Sequence, residues 1–188
     1  MDLCIVGNAE NRRVRDFLTA AELLGLDRPD CLGWSELLDN RHSALARLRS
    51  ADVVRLDSTG EDDHVLQRLI QIGGGDGTLA FGEIGFLREQ YEGFCQVLDW
   101  LSADDTTFQN PPADIKVMFD KWSSHQHFIA AGIARPVTAV APASVAQFRE
   151  FRSAWGTSHS GRLFLKPRFA SSASGVCAYR WSGDREQL

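Results

Sequence analysis

Residues Arg162 to Trp181 read RLFLKPRFASSASGVCAYRW. An apolar run ends on Lys166 and Pro167, a serine-rich loop follows, and a second run opens on Gly175 and Val176. Pro167 has no backbone N–H to give a ladder, so it closes the first run as a strand end. The plainer alternative for Lys166 is a strand-end charge, which its place at the end of an apolar strand disfavours; the serine-rich loop taken alone is an ordinary turn. Outward from this pair, Ser144 to Trp155 reads as a helix capped by its serine. PVTAV (Pro136 to Val140) reads as a strand, and TSHSG (Thr157 to Gly161) as the connecting turn. Ile115 to Ala131 reads as a helix that Gly132 ends. This half of the chain is expected to be a small α+β unit whose antiparallel strands include Leu163 to Lys166 and Val176 to Trp181.

The first half has a different rhythm. LCIVG (Leu3 to Gly7) is a buried-type strand. Val14, Phe17, Leu18, Ala21 and Leu24 repeat at three- and four-residue spacing, so Arg12 to Leu24 is a helix that Gly25 stops. DCLGW supplies a short strand, Ser35 a cap for a short helix, and ADVVRLDS (Ala51 to Ser58) a third strand. Glu61 to Ile72 and Phe86 to Leu101 are helical in pattern. Strands alternating with helices predict an α/β unit with a parallel sheet. The polar, proline-closed loop SADDTTFQNPPAD marks a boundary, giving domains over 1–109 and 110–188.

Composition narrows the classes. Charged residues are 24% and hydrophobic ones 44% of 188, which fits a folded chain rather than a disordered one. A net charge of −5 with scattered basic residues argues against a nucleic-acid binder. Cys4, Cys31, Cys95 and Cys177 lie far apart with no CxxC pair, so neither a zinc site nor a disulfide framework is expected. His125 and His127 are two apart on a helix and make a poor metal pair. No apolar run approaches a membrane span and MDLCIVG lacks signal-peptide character, so a cytoplasmic protein without a membrane partner is expected.

The C-terminal half contains an ordered set of features. Asn110-Pro111 is followed by Asp120-Lys121, Gly132-Ile133, Pro136 and Thr138, then Lys166-Pro167, then Ser171 through Gly175-Val176. That order resembles the N-terminal subdomain of ATP-grasp enzymes, over about Asn110 to Trp181. The preceding strand–helix alternation is similar to the Rossmann-like domain that stands before it in that family. The resemblance implies an ATP-dependent carboxylate–amine or carboxylate–thiol ligase working through an acyl phosphate, with ATP and Mg²⁺. Lys121 and Lys166 would be phosphate ligands, and Ser171, Ser172, Ser174 and Gly175 part of the loop over the phosphates. Phosphoryl transfer is mostly positioning and charge neutralisation, which suits lysines and loop donors. The family's metal ligands lie in a C-terminal subdomain, expected outside this chain, so the chain is a piece of a longer protein or lacks that half. No catalytic residue is assigned within it. ATP and a small carboxylate-bearing substrate are the expected partners, and a homodimer is allowed.

Two other readings stand beside this one. Gly74-Gly75-Asp76-Gly77-Thr78 matches the GGDGT signature of lipid and NAD kinases. That signature follows a buried strand, whereas VLQRLIQI before it has helical spacing, so the glycines read as a helix cap and connection. A non-catalytic nucleotide- or ligand-binding module is the second. The strand end VRLDSTGEDDH offers Arg55, Asp57, Ser58 and Glu61 as substrate contacts. The plainer reading of that segment is a helix N-terminus, with Ser58 or Thr59 as cap and Glu61, Asp62 and Asp63 complementing the dipole.

Overall fold

The computed structural model describes residues 2–60, 62–80, 82–138, 142, 144–155, 160–170, 174–183 and 185–187. The chain divides into two compact units, Met1–Val117 and Met118–Leu188. The first is α/β. Strand β1 (Leu3–Val6) leads through helix α1 (Arg12–Leu23) to β2 (Asp30–Leu32). Helices α2 (Trp34–Asp39) and α3 (Arg41–Arg49) then return the chain to β3 (Val53–Leu56). The three strands are parallel in the order β2-β1-β3. Phe108 adds an isolated parallel bridge to Val54, with Val54 N donating to Thr107 O and Gln109 N to Val54 O, both at 2.8 Å.

Burial explains these elements. Val14, Leu18 and Ala21 of α1 are buried, and Val14 and Leu18 cluster with Ile5 of β1. Asn11 caps α1 by accepting from Arg13 N at 3.0 Å. Gly7 is needed where β1 meets this helix, because a Cβ there would lie 2.9 Å from Val14 Cγ2. Trp34 is fully buried and its Nε1 donates to Asp57 O at 3.2 Å, tying α2 to the end of β3. Gly33 precedes α2 without a side-chain cap, and Ser35 lies inside the helix rather than capping it. Helix α3 has little apolar periodicity to announce it in sequence.

Helices α4 (Asp63–Ile72) and α5 (Leu87–Ser102) pack closely on each other. The cap of α4 is Asp62, whose Oδ1 accepts from His64 N at 2.9 Å and Val65 N at 3.0 Å. Neither Ser58 nor Thr59 serves, since a cap must sit one residue before the first helical turn. Val65 to Ile72 is helical, so GGDGT follows a helix and not a strand. Glycines in and around it have structural uses. A Cβ on Gly73 would lie 1.9 Å from Glu89 O, and one on Gly93 2.0 Å from Leu69 O, so the helices touch backbone to backbone there. A Cβ on Gly77 would lie 2.1 Å from the Phe86 ring.

Helix α6 (Pro112–Phe119) follows the two prolines. Where one helix is expected over Ile115 to Ala131, the chain breaks at Asp120 and restarts as α7 (Lys121–Ala130), because the Asp120 side chain caps the new helix. In the second unit Ser144 caps α8 (Val145–Trp155), its Oγ accepting from Gln147 N at 3.2 Å. Strands β4 (Ser160–Leu165), β5 (Cys177–Ser182) and β6 (Arg185–Gln187) form an antiparallel sheet in that order. Ser160 and Gly161 thus belong to β4 and not to a turn; Thr157 lies outside the described residues. Pro136 to Thr138 belong to no strand, and the rest of PVTAV lies outside the described residues. Among the described residues no helix is long and apolar enough to cross a membrane.

The helix–helix contact gives a contrast to test. Gly93→Ala should destabilise the first unit by about 3 kcal/mol, because the clash is with backbone. Gly74→Ala faces open space at φ 88° and should cost only about 1 kcal/mol. Urea denaturation of both variants checks the order; equal losses would contradict the packing.

Candidate functional site

The second unit assembles a cationic site around one buried carboxylate. Asp120 is 3% exposed. Its Oδ1 accepts from Trp122 N at 3.0 Å and Ser123 N at 3.3 Å, and its Oδ2 from Ser123 Oγ at 2.7 Å. Arg168 completes the set in bidentate fashion, Nε to Oδ1 at 2.7 Å and Nη2 to Oδ2 at 2.6 Å. Such a fork fixes both partners' geometry as well as their charge. The Arg168 guanidinium, above all, holds the Asp120 carboxyl far below the usual range, against the opposing effect of burial.

This clamp ties the start of α7 to the segment after β4, and both expected lysines are on those two elements. Lys121 N donates to Arg168 O at 3.3 Å, and Lys121 Nζ donates to Ala170 O. Lys166 is the exposed residue that follows β4. Burial, and after it the like charge of Lys166, hold the Lys121 ammonium below the usual lysine range; Asp120 pulls the other way. A cation on the first turn of a helix is also on the unfavourable end of its dipole. The first amides of α7 are already taken: Lys121 N by Arg168 O, Trp122 N and Ser123 N by Asp120, and Ser124 N by Asp120 O at 2.9 Å. An anion here would therefore be met by ammonium groups rather than by the helix backbone.

Ser174 and Gly175 form the turn into β5, with Gly175 at φ 68°, a conformation that favours glycine. Ser171 and Ser172 lie outside the described residues. Sequence reasoning misses Arg168. Its sequence signal is no more than a further basic residue directly after Lys166-Pro167, with its acidic partner 48 positions away.

The expected substrate residues belong to the first unit. Asn8 after β1 and Asp57 and Ser58 after β3 stand at the carboxyl ends where strand order reverses, the usual ligand position of open parallel sheets. Their contacts, however, are internal. Arg55 stacks over Phe17 at 4.3 Å and lies 3.5 Å from Asp57 Oδ2. Asp57 Oδ1 accepts from Ser58 N at 2.8 Å, and Ser58 Oγ from Gly60 N at 3.3 Å. Asn8 Nδ2 donates to Thr59 O at 3.0 Å, clasping the two strand-end loops. Asp57 Oδ2 is buried and accepts no hydrogen bond among the described residues. Glu61 lies outside the described residues.

Among the described residues no group of three His, Cys, Asp or Glu side chains could hold a metal ion. Asp76 of the GGDGT segment is exposed, on a connection that leaves a helix rather than a strand. No protein-family model, curated protein or solved structure matches this chain.

The Asp120 clamp has a pH signature. A carboxyl whose folded value is depressed stabilises the fold fully above the ordinary aspartate value near 4, and loses that contribution as pH falls below it. Asp120→Ala, which removes the cap of α7 together with the partner of the half-exposed Arg168, should cost about 2 kcal/mol at pH 7. The gap to the parent should shrink steadily below pH 4. Denaturant titrations at several pH values read this directly; a pH-independent gap would contradict it.

Proposed function

We propose that the chain is the ATP-binding portion of an ATP-dependent carboxylate–amine or carboxylate–thiol ligase of the ATP-grasp type. One observation carries the reading: at the start of α7 the Lys121 side chain donates to Ala170 O, on the segment that Lys166 opens after β4. The like charge of Lys166 opposes the Lys121 ammonium, and a polyphosphate bound by both would relieve that opposition. Local charge supports it too. Residues 118–188 contain nine Lys and Arg against four Asp and Glu, although the whole chain is at −5.

In this reading Lys121 and Lys166 hold the phosphates while the γ-phosphoryl passes to a substrate carboxylate. ADP is left behind, and an amine or thiol then attacks the acyl carbon of the acyl phosphate, forming the C–N or C–S bond as inorganic phosphate leaves. The Asp120–Arg168 clamp positions Lys121 and does not touch the nucleotide. Mg²⁺ would neutralise charge on the phosphates, but the described residues hold no donor set for it, and no step here is routed through it. Arg55, Asp57 and Ser58 remain the proposed acceptor contacts, and a cytoplasmic setting belongs to the same reading.

Calorimetric titration with ATP tests it. Two phosphate-bound cations, at about 1.5–3 kcal/mol each before ordering costs, should give a Kd near the millimolar range. Lys166→Ala should raise that Kd at least tenfold with an unchanged melting temperature. ATP affinity equal to the parent's would remove Lys166 from the site.

A further inference from the structure

The antiparallel sheet of the second unit has one covered face and one open face. The register places Leu163 opposite Tyr179 and Gly161 opposite Trp181. Tyr179 is buried and packs edge-on to Phe148 of α8 at 4.9 Å, so this face is covered. Strand alternation puts Arg162 and Phe164 of β4, Ala178 and Arg180 of β5, and Arg185 of β6 on the other face. All five are exposed, Phe164 by 68%.

Three features of that face are unusual. Arg162 and Arg180 are direct cross-strand partners, and like charges in that position repel. Neither has an ion-pair partner among the described residues, and Glu186, the acid on β6, is committed to Arg152 on the covered side. Beside the arginine pair, Phe164 stands opposite Ala178, whose small side chain leaves the ring face accessible. Two residues further along the same row comes Lys166. Cations thus flank one exposed aromatic on both sides, with Arg162 and Lys166 roughly 14 Å apart at ~3.4 Å per residue. A flat base stacks on such a ring, and paired guanidinium forks match one phosphate.

A nucleotide phosphorylated only at its 5′ end satisfies one flank. We propose that Arg162 and Arg180 form a second phosphate subsite, which takes the 3′-phosphate of a small nucleoside 3′,5′-bisphosphate. Its base lies on Phe164 and its 5′-phosphate on Lys166. This rests on the nucleotide reading of Lys121 and Lys166 and adds a residue pair and a ligand class to it. A free nucleotide rather than a nucleic-acid strand is the occupant, because among its described residues the face offers a single exposed aromatic, where strands are held by several.

The test is calorimetry on the whole chain with adenosine 3′,5′-bisphosphate, 5′-AMP, ATP and a ten-residue oligothymidylate. The bisphosphate should bind at least tenfold more tightly than 5′-AMP. Arg162→Gln and Arg180→Gln should each erase that preference without weakening 5′-AMP. Both variants should melt no lower than the parent, since each relieves a like-charge pair, so a lost preference will not reflect misfolding. Equal affinities for the bisphosphate and 5′-AMP would overturn the subsite, and if ATP still binds through Lys166 the ligase reading survives. Oligothymidylate binding tenfold tighter than the bisphosphate would overturn it in favour of a single strand. Binding of neither ATP nor bisphosphate would sink both. A bisphosphate preference that depends on the arginines, without Lys166-dependent ATP binding, would uphold the subsite and sink the ligase reading.

Discussion

The carboxylate of Asp120 is the constraint on which the arrangement of the second unit's cationic side chains depends. It ends α6, begins α7 and holds Arg168 through two parallel hydrogen bonds. A charge this buried is tolerable only because its oxygens are met by several donors. By joining the start of one helix to the turn after a strand, it brings Lys121 against Ala170 and within the field of Lys166. The acid–arginine pair thus fixes the position of a lysine whose charge burial and the neighbouring Lys166 oppose.

The first unit uses a different device, close approach at glycines. Gly7 leaves room for the Val14 side chain of α1, and Gly73 with Gly93 lets the backbones of α4 and α5 touch. In the GGDGT segment the structural demand falls on Gly73, just ahead of the motif, and on Gly75 and Gly77, which Ile70 and Phe86 crowd. Gly73, Gly75 and Gly77 therefore have packing explanations and Gly74 a conformational one at φ 88°, and the helical spacing of VLQRLIQI before them already points that way.

What could be read from the sequence followed from local periodicity. The parallel strands, α1, α4, α5 and the β4–β5 hairpin each declare themselves through apolar spacing, and the structure has them. Where several residues compete for one role, local pattern does not choose among them: Ser58, Thr59 and Asp62 are all capable caps, and only the helix's actual first turn selects Asp62. Apolar residues continue through Phe119 and Trp122, which hides the break that Asp120 imposes. Arg168 is invisible for a deeper reason, since its partner is brought to it by tertiary folding. Helix α3 and strand β6 show little period: α3 buries only Ala44 and Leu48, and β6 is exposed throughout.

If Lys121 and Lys166 together make a nucleotide phosphate site, ATP must perturb the backbone around them. Amide chemical-shift mapping by NMR during titration with ATP reads this most directly, because it reports where the ligand sits without assuming an activity. The largest shifts are expected at Lys121, Lys166, Ala170 and Gly175, with Asp120 and Arg168 following as the clamp adjusts. Shifts confined to Gly74 through Thr78, or to the strand ends of the first unit, would contradict the assignment.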